Sequence, residues 1–372
     1  MPPAAPDLRS LSRAEVDALV ARLGEKPYRA RQIFRWLHQK GAATLDEMSD
    51  LPVALRARIA AEVPLTALER AEERRSSDGT IKWTWRTGDG KLIESVYMPE
   101  TGRKTLCVST QAGCAVGCTF CMTGTMGLSR NLTSGEIVDQ VARANRRLLE
   151  LEEGAPRRPL TNLVFMGMGE PLHNYDNVKA ALDVLLSEDG PNFSNRHVTV
   201  STAGIVPEMR RFGEETDVKL AVSLNATTDE VRSALMPLNR RWPLRELLAA
   251  CRQFPMKKGR RITFEYVLLG GVNDSDEDAV RLSRMVKGIP AKVNLIPYNE
   301  NPGLGFQAPG PGRVEAFRDR LVAANVTAVV RRNRGSDIAA ACGQLAAEGG
   351  PGDPRRRGAD GTPTLTGRGS AG

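Results

Sequence analysis

From about residue 104 onward, short runs rich in β-branched residues alternate with helical stretches, and this alternation constrains the fold more than any other feature. The predicted strands cover residues 105–109, 163–166, 197–202, 218–224, 262–269 and 293–297. Between them lie predicted helices at 136–151, 177–186, 229–235, 244–254 and 277–286. Strands and helices that alternate in this way form parallel βα units. Six units favour an open, partial (βα)6 barrel over a closed eight-stranded one, and a seventh strand near 327–331 can extend it.

The segments on either side of this core have different patterns. Residues from about 10 to 60 predict short helices, whereas 80–98 alternate between apolar and polar residues around glycine turns, which predicts a small antiparallel sheet. The chain after Leu345 is rich in Gly, Pro, Arg and Thr without apolar periodicity, which predicts disorder. The predicted domains are a helical accessory domain (1–75), a β extension (76–103), the α/β core (104–345) and a disordered tail (346–372).

Basic residues exceed acidic ones, 52 to 44, which gives a net charge of +8. Between Arg22 and Lys40 there are six basic residues against one acid, with three aromatic residues interleaved. Ile33, Phe34 and Leu37 fall at helical spacing, so this segment predicts an amphipathic helix with a basic outer face. Two interpretations remain open for that face, a contact with nucleic-acid phosphates and an ordinary solvated surface.

The compartment follows from what the sequence lacks. Its longest unbroken apolar stretches are about five residues, against the roughly 20 that a membrane helix needs. The N-terminus has no apolar core preceded by positive charge, so we expect a cytoplasmic protein with no membrane association. Six cysteines in a reducing compartment indicate metal binding or catalysis rather than a disulfide framework.

Three of those cysteines form a C-x3-C-x2-C loop directly after the first core strand, at Cys114, Cys118 and Cys121. Three thiolates at this spacing can hold three corners of a 4Fe-4S cluster and leave the fourth iron open to another ligand. A structural zinc site or an electron-transfer cluster would need a fourth protein ligand. Cys107, seven residues upstream, is one candidate for it, and all three histidines lie outside the loop.

This loop resembles that of the radical SAM enzymes, in which the open iron binds S-adenosylmethionine (SAM) and electron transfer produces a 5′-deoxyadenosyl radical. The resemblance implies a SAM site at the carboxyl ends of the strands, where sites of such folds collect. A Gly-Glu-Pro segment follows strand two, serine and asparagine residues end strands three and four, and another asparagine follows strand six. The predicted SAM contacts are Gly169, Glu170, Ser201, Ser223, Leu224, Asn225 and Asn299.

The last two cysteines differ in their surroundings. Cys251 lies on an apolar helical face with Leu247 and Leu248 and is predicted to be a small core residue. Cys342 precedes Gly343 and the predicted flexible tail. For Cys342 the residues alone leave two alternatives open, core packing and a reactive thiol.

Six segments together resemble the RlmN/Cfr family of radical SAM RNA adenine methyltransferases. They are 111–121 (QAGCAVGCTFC), 166–171 (MGMGEP), 200–204 (VSTAG), 223–226 (SLNA), 294–299 (NLIPYN) and 341–345 (ACGQL). One departure is Asn225, where the family more often has His. The resemblance extends from Tyr28 to Leu345 and implies an N-terminal RNA-binding module before a radical SAM core.

The resemblance also implies the chemistry and the partners. One SAM methylates Cys342, and a second SAM yields the radical that converts the S-methyl group into a methylene radical, which adds to an adenine carbon. Glu94 corresponds to the base that removes the ring proton, and Cys107 to the thiol that releases the product through a transient disulfide with Cys342. The likeness over the whole chain favours methylation of C2 in adenine 2503 of 23S rRNA and adenine 37 of tRNAs, with Cfr-type C8 methylation as the alternative. A flavodoxin-like electron donor and a monomeric enzyme are also expected.

Overall fold

A ten-stranded mixed sheet organises the computed structural model, which describes residues 7–346 except 153, 157, 258, 302 and 332. The strands are β1 (Glu69–Arg75), β2 (Ile81–Arg86), β3 (Leu92–Glu100), β4 (Arg103–Cys107), β5 (Gln111–Gly113), β6 (Leu128–Asn131), β7 (Asn162–Phe165), β8 (Val198–Thr202), β9 (Lys219–Ser223), β10 (Ile262–Leu268), β11 (Ala291–Pro297) and β12 (Ala328–Val330). The helices are α1 (Arg13–Arg22), α2 (Tyr28–His38), α3 (Val53–Glu62), α4 (Met122–Thr125), α5 (Ser134–Leu151), α6 (Tyr175–Leu186), α7 (Val206–Glu215), α8 (Asp229–Leu235), α9 (Leu244–Gln253), α10 (Asp276–Val286) and α11 (Arg313–Ala323).

The parallel part of the sheet matches the strand prediction. Its order is β4-β7-β8-β9-β10-β11-β12, and each neighbouring pair is parallel. Helices lie between consecutive strands, as expected for βα units. The open, partial barrel of six predicted strands is therefore confirmed, and β12 is the seventh strand. Parallel pairing places the carboxyl ends of all seven strands along one edge.

The antiparallel part continues the same sheet. The small antiparallel sheet predicted in 80–98 is confirmed by the antiparallel pairing of β2 with β3, and β3 pairs with β4 at the edge of the core. Strand β1 lies inside the range assigned to helices, which end at Glu62. Its sequence is almost entirely charged, but pairing with β2 lets Glu73 accept a hydrogen bond from the indole of Trp83 at 2.9 Å. Long-range partners of this kind override local propensity.

The N-terminal helices pack on the core through apolar faces. The amphipathic helix predicted between Arg22 and Lys40 is α2, which follows the end of α1 at Arg22 and a turn at Gly24 (φ 65°). The predicted buried face of α2 is confirmed, since Ile33, Phe34 and Leu37 are buried. On the outer face, Arg31 and Arg35 lie 2.7 and 3.5 Å from Asp189. Part of the basic face is therefore already paired within the chain.

Three remaining predictions concern the tail, membrane association and Cys251. Apart from Ala346, which is buried, the predicted disordered tail lies outside the described residues. Within the described ranges, no helix combines the length and apolar character required to cross a bilayer. Cys251 is fully buried on α9, which confirms its prediction as a core residue.

Candidate functional site

A cavity of about 960 Å³ opens at the carboxyl ends of the parallel strands. The loop between β5 and α4 forms one wall and presents Cys114, Cys118 and Cys121. Gly113 allows the loop to turn, because its φ is 83° and a Cβ there would lie 1.9 Å from the carbonyl oxygen of Gly127. The backbone N–H of Cys114 donates to that same oxygen at 2.9 Å. Local sequence and tight backbone packing thus place the three thiols on one surface.

The pKa values of the three thiols are raised, so each thiol needs a nearby positive charge to ionise. Burial, followed by the negative charges of neighbouring thiolates, raises the pKa of Cys118 well above its ordinary value. Burial also raises the pKa of Cys114, to about 12. In the described part of the chain, no group of three His, Cys, Asp or Glu side chains is arranged to hold a single metal ion. A 4Fe-4S cluster needs one thiolate for each of several irons and supplies the missing charge, so these residues fit it.

Glu170 lies on the cavity wall beside Gly169, as the sequence predicts, but its carboxylate is already hydrogen-bonded. One oxygen accepts from the backbone N–H of Leu172 at 3.0 Å, and the other accepts from that of Ala203 at 2.7 Å. Burial raises the pKa of Glu170 to about 7, and these hydrogen bonds oppose the increase. The side chain therefore joins the ends of β7 and β8 and fixes the shape of the wall.

Among the other predicted SAM contacts, Ser201, Ser223 and Asn225 line the cavity. Asn225 has a left-handed backbone (φ 56°), which asparagine adopts more readily than most residues. Its side-chain oxygen accepts from the N–H of Val267 at 2.9 Å, so the amide stabilises the end of β10.

Two further predicted contacts are not on the cavity wall. Leu224 is fully buried in the apolar core, and Asn299 is 7% exposed and is not among the residues that line the cavity, although the adjacent Tyr298 is. Sequence reasoning placed both at strand ends, but at the end of a strand alternate residues face opposite ways.

Cys342 lies where two cavities meet. It lines the large cavity with the three loop cysteines and also a second cavity of about 660 Å³ that contains Cys107. All six cysteines are unbridged. Burial, and then the charge of the Cys342 thiolate, raises the pKa of Cys107 to about 12. Cys107 thus faces Cys342 rather than the large cavity, which favours a role with Cys342 over a role as a fourth cluster ligand.

The segment that carries Cys342 is fastened to the cysteine loop. The N–H of Met122 donates to the carbonyl of Gly343 at 2.8 Å, and the hydroxyl of Thr123 donates to that of Leu345 at 2.5 Å. These contacts hold Cys342 at the cavity and favour a reactive thiol over a residue used only for packing.

Glu94 is buried on β3 rather than exposed at the surface. One of its carboxylate oxygens lies 3.1 Å from the ammonium of Lys82, and both side chains are almost fully buried. Val96, two residues along the same face of β3, lines the cavity of Cys107 and Cys342. Glu94 itself is not among the lining residues of either cavity.

Sequence reasoning missed two charged residues of the site, Glu265 and Arg331. Burial raises the pKa of Glu265, whereas the negative charge of the Cys342 thiolate raises that of Arg331. The available signal was an acid inside the apolar run 262–269 and an arginine at the end of the seventh predicted strand. Glu265 is buried within β10 and Arg331 directly follows β12, and charged groups held in such surroundings are candidates for functional residues.

Comparisons with known proteins identify the family of the chain. Residues 108–283 match the radical SAM superfamily, and residues 6–64 match the "Ribosomal RNA large subunit methyltransferase N-terminal domain". The chain is 76% identical to the dual-specificity RNA methyltransferase RlmN of Anaeromyxobacter dehalogenans, over 99% of this chain and 98% of the relative. It is 50% identical to RlmN of Geobacter sulfurreducens, over 91% of both chains. The crystal structure of a radical SAM methyltransferase from Sphaerobacter thermophilus superposes with a TM-score of 0.87 at 50% identity, covering 92% of this chain and 99% of that one.

Proposed function

Because the chain belongs to the RlmN family of dual-specificity RNA methyltransferases, which are radical SAM enzymes, we propose that it methylates C2 of adenine 2503 in 23S rRNA and of adenine 37 in tRNAs. The observation that carries the proposal is the position of Cys342, which lines the cavity of the cluster cysteines and the cavity of Cys107. A thiol at that junction can receive a methyl group on one side and deliver a carbon to RNA on the other.

The large cavity provides for the cofactors. Cys114, Cys118 and Cys121 would hold a 4Fe-4S cluster, and Gly169, Ser201, Ser223 and Asn225, which line the same cavity, would contact SAM. When bound, the cluster and SAM supply the 5′-deoxyadenosyl radical. Glu170 would act mainly by fixing the wall, since its carboxylate oxygens accept backbone N–H groups. Two SAM molecules are consumed in each cycle, one as methyl donor and one as radical source.

Three side chains of the protein would carry the transfer to RNA. The Cys342 thiolate takes the methyl group of the first SAM by displacement, which leaves S-adenosylhomocysteine. The S-methyl group then gives one hydrogen atom to the 5′-deoxyadenosyl radical, and its carbon adds to C2 of adenine. Glu94 accepts the C2 proton, and the one electron that the adduct releases would pass to the bound cluster. The Cys107 thiolate then attacks the sulfur of Cys342, so that the disulfide forms as the carbon–sulfur bond breaks. The carbon keeps that electron pair and takes up a proton, which completes the methyl group of the released base. A ring carbon of adenine does not attack a methyl sulfonium, so the radical route is required.

The partners follow from the domain organisation. The match of residues 6–64 to an N-terminal domain of ribosomal RNA methyltransferases supports RNA binding by the helical module. We assign the RNA contact to the part of its basic surface that forms no ion pair among the described residues, which includes Arg29 and Lys40, stacked on Tyr28 and Trp36. A flavodoxin-like donor would supply the electrons for the cluster, the reducing cytosol would return the transient disulfide to two thiols, and the enzyme would act as a monomer.

Anaerobic reconstitution tests this proposal. The protein should bind about four irons per chain and convert adenine in rRNA and tRNA fragments to 2-methyladenosine, identified by mass spectrometry of nucleosides. Detection of 8-methyladenosine would instead assign the Cfr-type reaction. Cys342→Ala should abolish methylation, and Cys107→Ala should accumulate a covalent protein–RNA adduct. Cys251→Ala is the matched control and should do neither, since Cys251 is buried in α9. Full methylation by Cys342→Ala would refute the methyl-carrier role.

A further inference from the structure

Lys82 is a buried cation that contacts two separate parts of the site. Its ammonium lies 3.1 Å from a carboxylate oxygen of Glu94 and donates a hydrogen bond of 3.1 Å to the backbone carbonyl of Ala339. The side chain of Lys82 is 5% exposed and that of Glu94 is 2% exposed. Lysine is almost never buried this completely unless its charge is paired and its donors are used.

Ala339 belongs to the cysteine segment, which we define as residues 335–346 and which carries Cys342. Its φ of 51° is left-handed, a conformation that costs a residue with a Cβ about 1 kcal/mol or more. Such a conformation persists only where the surroundings enforce it. The ammonium of Lys82 holds the carbonyl of this residue three positions before Cys342.

The cysteine segment is held at both ends by other contacts. At its start, the N–H of Gly335 donates to the carboxylate of Asp78 at 3.2 Å. At its end, Gly343 and Leu345 are bonded to the cysteine loop. Lys82 therefore contacts the stretch between these anchors, and its ammonium joins this stretch to Glu94.

We propose that Lys82 is a positioning residue that holds the Glu94 carboxylate and the Cys342-bearing segment in one fixed arrangement. This inference rests on the proposed function, in which Glu94 and the carbon on Cys342 must approach the same atom of adenine. The two groups lie on different elements, β3 and the cysteine segment. Without a shared contact, β3 and the cysteine segment could shift independently. The Glu94 carboxylate and the carbon on Cys342 would then no longer meet at C2 of adenine.

The role predicts that the two halves of the reaction respond differently to Lys82→Met, which keeps the length of the side chain and removes its charge. Methylation of Cys342 should proceed as in the wild type, because the contacts of the segment with the cysteine loop remain. RNA methylation should fall by about 10²-fold, the effect of a displacement near 1 Å at a reacting centre. Lys82→Arg keeps the charge and should retain more than about a tenth of the activity.

Lys104→Met is the matched control. Lys104 lies on β4 of the same sheet and is also paired with a carboxylate, Glu152, but that pair is partly exposed and lies outside both cavities. Its RNA methylation should stay within about twofold of the wild type. Peptide mass spectrometry gives the methylated fraction of Cys342, and nucleoside mass spectrometry gives the RNA product of each variant.

Hydrogen exchange of peptides that cover 335–346 tests the positioning independently of activity. Exchange should be faster in Lys82→Met and unchanged in Lys104→Met.

Unchanged exchange in Lys82→Met, or RNA methylation within twofold of the wild type, would overturn the proposal. Parallel loss of iron, Cys342 methylation and RNA methylation would also overturn it, since it would indicate a purely structural role. If Lys82→Met does not fold, Lys82→Arg takes its place in the test. A folded Lys82→Arg that has no RNA methylation activity but wild-type exchange in 335–346 would overturn the proposal. A wild-type protein that makes no methylated RNA would refute the proposed function, and the exchange result would still decide the role of Lys82.

Discussion

Arg9 offers a direct test of how the N-terminal helical module is attached to the catalytic core. Its side chain is completely buried, and its Nε lies 3.1 Å from the carboxylate of Asp139 on α5. The two terminal nitrogens donate to the carbonyl oxygens of Leu37 and Ala42 at 2.6 and 2.5 Å. One guanidinium thus connects the end of α2 and the loop after it to a helix of the core.

Replacing Arg9 by Met should lower the free energy of unfolding by about 4 kcal/mol. Loss of one partner of a buried ion pair costs about 3–5 kcal/mol, because the other charge stays buried. Here Asp139 retains Arg143 at 3.1 Å and the N–H of Leu68 at 2.7 Å, which favours the lower end of that range. The two carbonyls that lose a charged donor add about 1 kcal/mol or more.

Urea unfolding followed by circular dichroism measures this loss. With a slope of about 3 kcal/mol per molar, 4 kcal/mol moves the midpoint by roughly 1 M. The control is Arg13→Met on α1, whose ion pairs with Asp17 and Asp189 are partly exposed, so its loss should stay below about 1 kcal/mol. If Arg9→Met loses less than 1 kcal/mol, the buried pair does not fasten the module and the reasoning fails.

Three further predictions concern the site and the sheet. Glu94→Gln should lower RNA methylation by about 10²-fold or more while Cys342 is still methylated, and equal loss of both steps would remove Glu94 from proton transfer. Cys118→Ala should lose the iron–sulfur absorbance near neutral pH, whereas Cys251→Ala should keep it; retention in Cys118→Ala would contradict the ligand assignment. Burial raises the pKa of Glu73, but hydrogen bonds from Arg147, Trp83 and Arg75 lower it to about 2. The ionised Glu73 carboxylate therefore stabilises the folded protein above pH 4.5, its ordinary pKa, and this contribution is lost as the pH falls toward 2. Glu73→Gln should lower the free energy of unfolding at pH 7 and lower it progressively less below about pH 4. Urea titrations at several pH values measure the difference. A penalty that does not change with pH would refute the charge argument.

Part of the site could be predicted because its signal is local. The spacing of Cys114, Cys118 and Cys121 is set within one short loop, and the alternation of strands and helices is written along the chain. The apolar face around Cys251 is likewise a local pattern. These features could be predicted because the backbone conformation of a loop, strand or helix depends mainly on neighbouring residues.

Other parts depend on residues distant in the sequence. Two hydrogen bonds of the site depend on how the strands pack. The carboxylate of Glu170 accepts from the N–H of Ala203, and the amide oxygen of Asn225 accepts from that of Val267. The pairing of Lys82 with Glu94 requires β2 and β3 to lie side by side. Burial of Asn299 could not be predicted, because the direction of a side chain after a strand depends on what covers it.

The class of fold, the cysteine loop and the family could thus be read from the chain, since each rests on local spacing and on motifs that appear as strings of residues. Which polar groups remain available to a ligand, and which are used to join strand ends, depends on the packing of the strands. Tertiary contacts also place Cys342 between two cavities and bring Lys82 into contact with both Glu94 and the cysteine segment. The physical reason is that hydrogen bonds and ion pairs are satisfied in space, where partners separated by many residues compete for the same group.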